Sequence, residues 1–127
     1  MATEPAFDQE ILDQLQAIEE VDIETTRRSG DVRSTIIWVV AEGSDVFVRS
    51  VRGERGRWYQ DLVARPAGHL RLGQESIAVR AIPATDDATV GHVSELLEAK
   101  YGTRHRASTD SMLQPETLST TLRLEPG

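Results

Sequence analysis

The chain has 127 residues, 39% of them hydrophobic, a formal net charge of −7 and no cysteine. That length supports one domain, residues 1–127, with a core of its own, and the missing thiols exclude disulfides, thiolate metal sites and cysteine nucleophiles. The acidic start, with Glu4 and Asp8, and the lack of any apolar run of spanning length predict a soluble, cytoplasmic protein without a secretion signal or membrane contact.

Residues 6–19 put Phe7, Ile11, Leu12, Leu15 and Ile18 on one stripe, the period of an amphipathic helix. It is either a solvated surface helix or a cover for the mouth of the fold. From Val21 the pattern turns β-branched and alternating, and predicts strands at 21–27, 32–41, 45–51, 68–73 and 75–83. Ser29-Gly30-Asp31 and Glu42-Gly43-Ser44-Asp45 read as tight turns, so the first three strands are expected to form an antiparallel meander. Gly73-Gln74 predicts a further hairpin. Residues 57–65 do not alternate and read as a short crossover helix ending before Pro66. A long helix is expected over 86–101, N-capped by Asp86 or Asp87, with Gly102 as its C′ residue. Residues 103–115 read as irregular, and Leu118, Thr120, Leu122 and Leu124 as a sixth strand closing the sheet. The expected division is therefore a helix over 1–20, a barrel core and late helix over 21–102, and a closing segment over 103–127.

Charge is unevenly placed. Residues 1–26 hold eight acidic side chains and no basic one, whereas seven arginines (Arg27, Arg28, Arg33, Arg49, Arg52, Arg55, Arg57) fall between Thr26 and Trp58. Guanidinium groups at strand ends and turns suit capture of phosphate or carboxylate. A nucleic-acid-binding chain would be basic over a whole face, so a discrete anion site is the better reading and no nucleic-acid partner is expected. The plainer alternative is that these arginines are solvated rim residues with packed stems. Gly53-Glu54-Arg55-Gly56 has the spacing of an RNA-clamping G-x-x-G loop, but in an acidic chain without the surrounding helices. No nucleophile-elbow, zinc-protease, Walker or dinucleotide motif is present, and His69, His92 and His105 are too scattered to form a metal set.

Three fragments carry a resemblance. Thr25-Thr26-Arg27-Arg28-Ser29-Gly30-Asp31-Val32-Arg33 is similar to the first hairpin of deazaflavin-dependent nitroreductase-type proteins. Val48-Arg49-Ser50-Val51-Arg52-Gly53 resembles their V-x-S-K-G-G run, and Trp58-Tyr59-Gln60-Asp61-Leu62-Val63-Ala64-Arg65-Pro66 resembles their WYxNLxANP run. Together these resemble the FMN- and deazaflavin-binding split β-barrel superfamily, whose fold is that of pyridoxamine-phosphate oxidase; more narrowly, the runs IIWVV (36–40), DVFVRSVRGERGRWYQ (45–60) and TTLRLEP (120–126) resemble the domain of unknown function 2255 family. Ile36 stands where the nitroreductase pattern has proline, and one extra residue separates Ser50 from Arg52-Gly53.

The resemblance implies a six-stranded antiparallel split barrel, mainly β with flanking helices. It implies a deazaflavin or FMN cofactor with phosphate groups near Arg28, Ser29, Arg33, Ser50, Arg52 and Gly53, and a ring flanked by Ile36, Ile37 and Trp38. Trp58 and Tyr59 match the aromatic pair opening the crossover helix; Tyr59 is a candidate proton donor or substrate contact, with core packing as the alternative. Ile37 is open to a core role in the same way. The implied function is reduction of a small organic acceptor by hydride transfer, in a homodimer with cofactor sites near the interface. The second reading is a non-catalytic split barrel that binds an anionic small molecule or serves as a dimeric interaction protein.

Overall fold

The computed structural model describes residues 6–127; the part of the expected N-terminal segment over residues 1–5 lies outside the described residues. One seven-stranded sheet, antiparallel throughout and curled into a half-barrel, organises the chain. Its strands are β1 (Val21–Thr26), β2 (Val32–Ile37), β3 (Val40–Glu42), β4 (Asp45–Val48), β5 (Ala67–Leu72), β6 (Glu75–Pro83) and β7 (Leu122–Pro126). They lie in the order β2-β1-β5-β6-β7-β4-β3. The helices are α1 (Gln9–Ala17), α2 (Arg57–Ala64), α3 (Asp87–Tyr101), α4 (Arg106–Met112) and α5 (Pro115–Leu118).

The fold is mainly β with flanking helices, as the pattern predicts, but with seven strands rather than six. The expected strand over 32–41 is two strands at opposite edges of the sheet. β2 pairs with β1 in the register Val21↔Ile37 to Thr26↔Val32, whereas β3 pairs with β4 through Val40↔Phe47. The predicted three-strand meander is therefore two separate hairpins. The physical cause lies at Val39. Its N–H donates to Tyr101 Oη at 3.2 Å, and its carbonyl accepts from Lys100 Nζ at 2.7 Å and from Tyr101 Oη at 3.1 Å. A backbone unit satisfied by α3 side chains needs no neighbouring strand.

Two further expectations change for local reasons. Gly102 has φ −58°, a right-handed conformation, so the chain does not leave α3 through a left-handed C′ residue. Instead His105 N–H reaches Tyr101 O at 2.8 Å and the chain re-enters helix, which makes α4 and α5 out of the stretch expected to be irregular. Leu118 accordingly ends a helix, and the last strand begins at Leu122 rather than at 118. The expected N-cap of the long helix is found, while the helix expected over 6–19 is confined to Gln9–Ala17 and the strand expected over 45–51 to Asp45–Val48. Asp86 caps α3 by accepting from Thr89 N–H at 3.0 Å and Thr89 Oγ1 at 2.8 Å, which also holds its carboxyl below the usual range.

Apolar side chains fill two layers on opposite faces of the sheet. In the main core Leu12 and Leu15 of α1 and Trp58 and Leu62 of α2 pack with inward residues such as Ile23, Leu70, Val79 and Leu124. Val40 and Phe47 point the other way, onto Val93, Leu97 and Tyr101 of α3. Trp38 stacks on Tyr101 with ring centroids 3.9 Å apart and planes 5° from parallel. Lys100 Nζ also donates to Leu15 O at 2.9 Å, tying the last turn of α1 to α3. Burial, the main cause, lowers the Lys100 pKa to about 8, and it pushes Tyr101 up to about 12.

Tyr101→Phe removes the hydroxyl shared by Val39 and Glu19; a loss of about 1–3 kcal/mol in urea unfolding is expected. Lys100 supplies a pH signature. Between about pH 8 and its ordinary 10.5 the unfolded chain holds the Lys100 proton and the folded chain does not, so stability rises with pH there. The difference in urea midpoint between wild type and Lys100→Met is expected to grow in favour of wild type from pH 8 to pH 10. A difference flat in pH would refute this.

Candidate functional site

A cavity of about 550 Å³ opens between β2, the chain leaving β4, the start of α2, and α4. That volume lies within the range of small-molecule sites. β2 and its continuation supply Arg33, Ser34, Thr35, Ile36, Ile37 and Trp38; the segment after β4 supplies Arg49, Ser50, Val51 and Arg52; Gly56, Arg57 and Trp58 open α2; Ser108 and Met112 come from α4. Four arginines face one carboxylate, Glu20, within the lining. In a chain of net charge −7 that is a local inversion of sign.

The loop after β4 forms a tight glycine-bearing cradle closed by its own hydrogen bonds. Ser50 N–H is held by Thr120 Oγ1 at 3.0 Å, Gly53 N–H returns to Ser50 O at 3.0 Å, and Gly56 N–H returns to Gly53 O at 3.1 Å. Gly53 has φ +64°, and a Cβ there would stand 2.6 Å from Glu116 O, so both the turn and the close approach of α5 require glycine. A side chain at Gly56 would collide with Ser50 Oγ. Gly56 is also the N-cap of α2 and offers no capping side chain, so the first N–H groups of that helix have no intrahelical acceptor. Ser50 is 1% exposed, and its Oγ has no hydrogen-bond partner. The unpartnered Ser50 hydroxyl thus lies directly beside the uncapped start of α2.

Arg33 is differently placed. Its Nε donates to Asp61 Oδ2 at 2.8 Å, and Thr25 Oγ1 donates to the same oxygen at 2.8 Å. The pair links β1 and β2 to α2 and neutralises that corner. Arg49 is buried with neutral partners, and burial lowers its pKa to about 10, which leaves it charged at neutral pH.

Of the residues singled out in the sequence, Arg33, Ile36, Ile37, Trp38, Ser50, Arg52 and Trp58 come together around the cavity. Gly53 shapes the cradle without lining the cavity. Arg28 and Ser29 do not join them. Both stand exposed at the tip of the β1–β2 hairpin, where Ser29 Oγ donates to Asp31 Oδ2 at 3.2 Å and closes the turn. Tyr59 is half-buried against the main core, outside the lining, and burial raises its hydroxyl pKa. Ile37 is core and lining at once. Sequence reasoning left Gly56, Arg57, Ser108 and Met112 out of the site. The Gly53–Gly56 spacing was the available signal for the first two; α4 left no readable trace.

The sequence pattern of the family described as "Uncharacterized protein conserved in bacteria (DUF2255)" matches residues 11–124. No curated protein matches the chain. Among solved structures, the heme storage protein HutZ from Vibrio cholerae superposes with a TM-score of 0.65 at 16% identity, covering 96% of this chain and 91% of that one. An F420-H2 dependent reductase (FDR-A) gives 0.64 at 17% identity, covering 84% and 94%. ChuZ from Campylobacter jejuni gives 0.71 at 10% identity, covering 93% and 52%. At such identities the agreement concerns the fold, and it is the split barrel.

Two glycine substitutions separate backbone strain from collision. Gly43, at φ +59°, has open space around a Cβ, whereas Gly53 does not. Gly43→Ala is expected to cost about 1 kcal/mol and Gly53→Ala clearly more, both read from urea unfolding. Equal costs would show that α5 does not press on the cradle.

Proposed function

For a chain that belongs to the bacterial DUF2255 family and is folded as a split barrel, we propose that the cavity holds a flavin-type cofactor through its phosphate. The observation that carries this is the unpartnered Ser50 hydroxyl, buried beside the uncapped start of α2. The residues fit such a group. Ser50, Arg52, Arg57 and the first backbone N–H groups of α2 supply the hydroxyl, guanidinium and amide donors that a phosphate takes. Ile36, Ile37, Trp38, Trp58 and Met112 supply an apolar wall for a ring system. The fold neighbours include an F420-H2 dependent reductase and a heme storage protein, and a fold alone does not choose between such partners. The arginines favour a deazaflavin cofactor, whose phosphodiester and oligoglutamyl tail are both anionic, over FMN.

Bound there, the cofactor would supply hydride to a small organic acceptor. The chain's own part is to bind, orient and exclude water. Ile36 is 64% exposed although it lines the cavity, and Val32, next but three along edge strand β2, is 67% exposed. A second copy covering that edge would close the open wall, so the reading includes a homodimer.

A second reading rests on the same exposure together with the Arg33–Asp61 pair. With one guanidinium neutralised and the ring wall open, a smaller anion could occupy the cradle without redox chemistry.

Titration of the purified protein with FMN and with a deazaflavin cofactor, followed by absorbance and fluorescence, decides between them. Saturable binding that weakens at least about tenfold in Arg52→Ala is expected. No binding of either cofactor leaves only the second reading.

A further inference from the structure

Arg49 is the largest fully buried side chain among the described residues. Its Nε donates to Thr121 Oγ1 at 2.9 Å, Nη1 to Ser94 Oγ at 2.9 Å and to Met112 O at 3.3 Å, and Nη2 to Val90 O at 3.0 Å. Every acceptor is neutral, and no carboxylate reaches the guanidinium among the described residues. Hydrogen bonds to hydroxyls and carbonyls satisfy the donors of a buried cation but leave its charge uncancelled, at a cost in desolvation. A methionine-like side chain of similar size would fill the same space without that cost. Arg49 is also among the residues that line the cavity, one residue before the unpartnered Ser50, and one of its acceptors, Met112, lines it too.

We infer that Arg49 is a specificity-determining residue of this cavity: its uncompensated charge favours a phosphate-type anion on the Ser50 cradle over a neutral ligand. The inference rests on the anion-cradle reading above. With four of its five N–H donors occupied, Arg49 acts mainly through its field rather than by contact. The same four bonds also fix the end of β4 to α3, to the end of α4 and to the segment before β7. Arg33 cannot take this role, because Asp61 already cancels its charge. Anion binding is the event that would offset the Arg49 charge.

The test is titration of the full chain with inorganic phosphate, followed by amide resonances of the cradle and by Tm, at two salt concentrations. Arg49→Lys keeps the charge and loses the fork; Arg49→Gln loses the charge and keeps a donor. Wild type and Arg49→Lys are expected to bind within about threefold of each other, and Arg49→Gln at least about tenfold more weakly, with a shallower salt dependence. Equal affinity of wild type and Arg49→Gln overturns the inference while leaving the cradle intact. An equal fall in both variants also overturns it, since Arg49 would then be structural only. Failure of wild type to bind phosphate removes the cradle reading itself. If Arg49→Gln does not fold, the Nε–Hε resonance of Arg49 in the wild type decides. It is expected to shift along the phosphate titration, and a resonance that stays fixed while the cradle amides move overturns the inference.

Discussion

The backbone of Val39 is the joint on which the rest of the molecule turns. Its N–H and C=O take their partners from Tyr101 and Lys100 of α3 rather than from another strand. A continuous strand over 32–41 would carry β2 straight into β3 and leave no gap between them. With Val39 held by α3, the two halves part to opposite edges of the sheet, and Trp38 lies at the break, stacked on Tyr101. The cavity opens beside that break. Its geometry therefore depends on hydrogen bonds made some sixty residues away in sequence.

Around the cavity the protein handles four guanidinium groups in different ways. Arg33 is matched by Asp61, which also accepts from Thr25 and so welds α2 to the first hairpin. Arg49 is satisfied in hydrogen bonding and left unmatched in charge. Arg52 and Arg57 stand exposed at the rim, on either side of the glycine-shaped cradle. The outcome is a positive concavity whose least satisfied atom, Ser50 Oγ, lies at the start of a helix. Nothing else in the lining concentrates donors in this way.

Legibility of the fold followed the range of the interactions involved. α1 is readable from Ile11, Leu12 and Leu15, the α3 N-cap from Asp86, and the β5–β6 hairpin from Gly73, because each depends on neighbours a few residues away. The break at Val39 and the helices α4 and α5 escaped for the converse reason. Gly102 reads as a left-handed helix stop, yet its right-handed φ of −58° lets the chain run on into α4, and a Cβ there would meet Glu98. At the site, the arginine cluster and the Ser50–Gly53 run were readable as chemistry, whereas the removal of Arg28 and Ser29 from the cavity was not.

Composition and periodicity were enough to specify an acidic chain, a mainly antiparallel sheet with flanking helices, and a concentration of guanidinium groups in one third of the chain. These are properties of residue type and short spacing, which a linear string carries in full. Which arginine meets a carboxylate, which is buried without one, and which hydroxyl is left unpartnered were settled by contacts across 28 to 72 residues. Such pairings follow from how strands are ordered in the sheet, and strand order is a collective result of burying both faces at once.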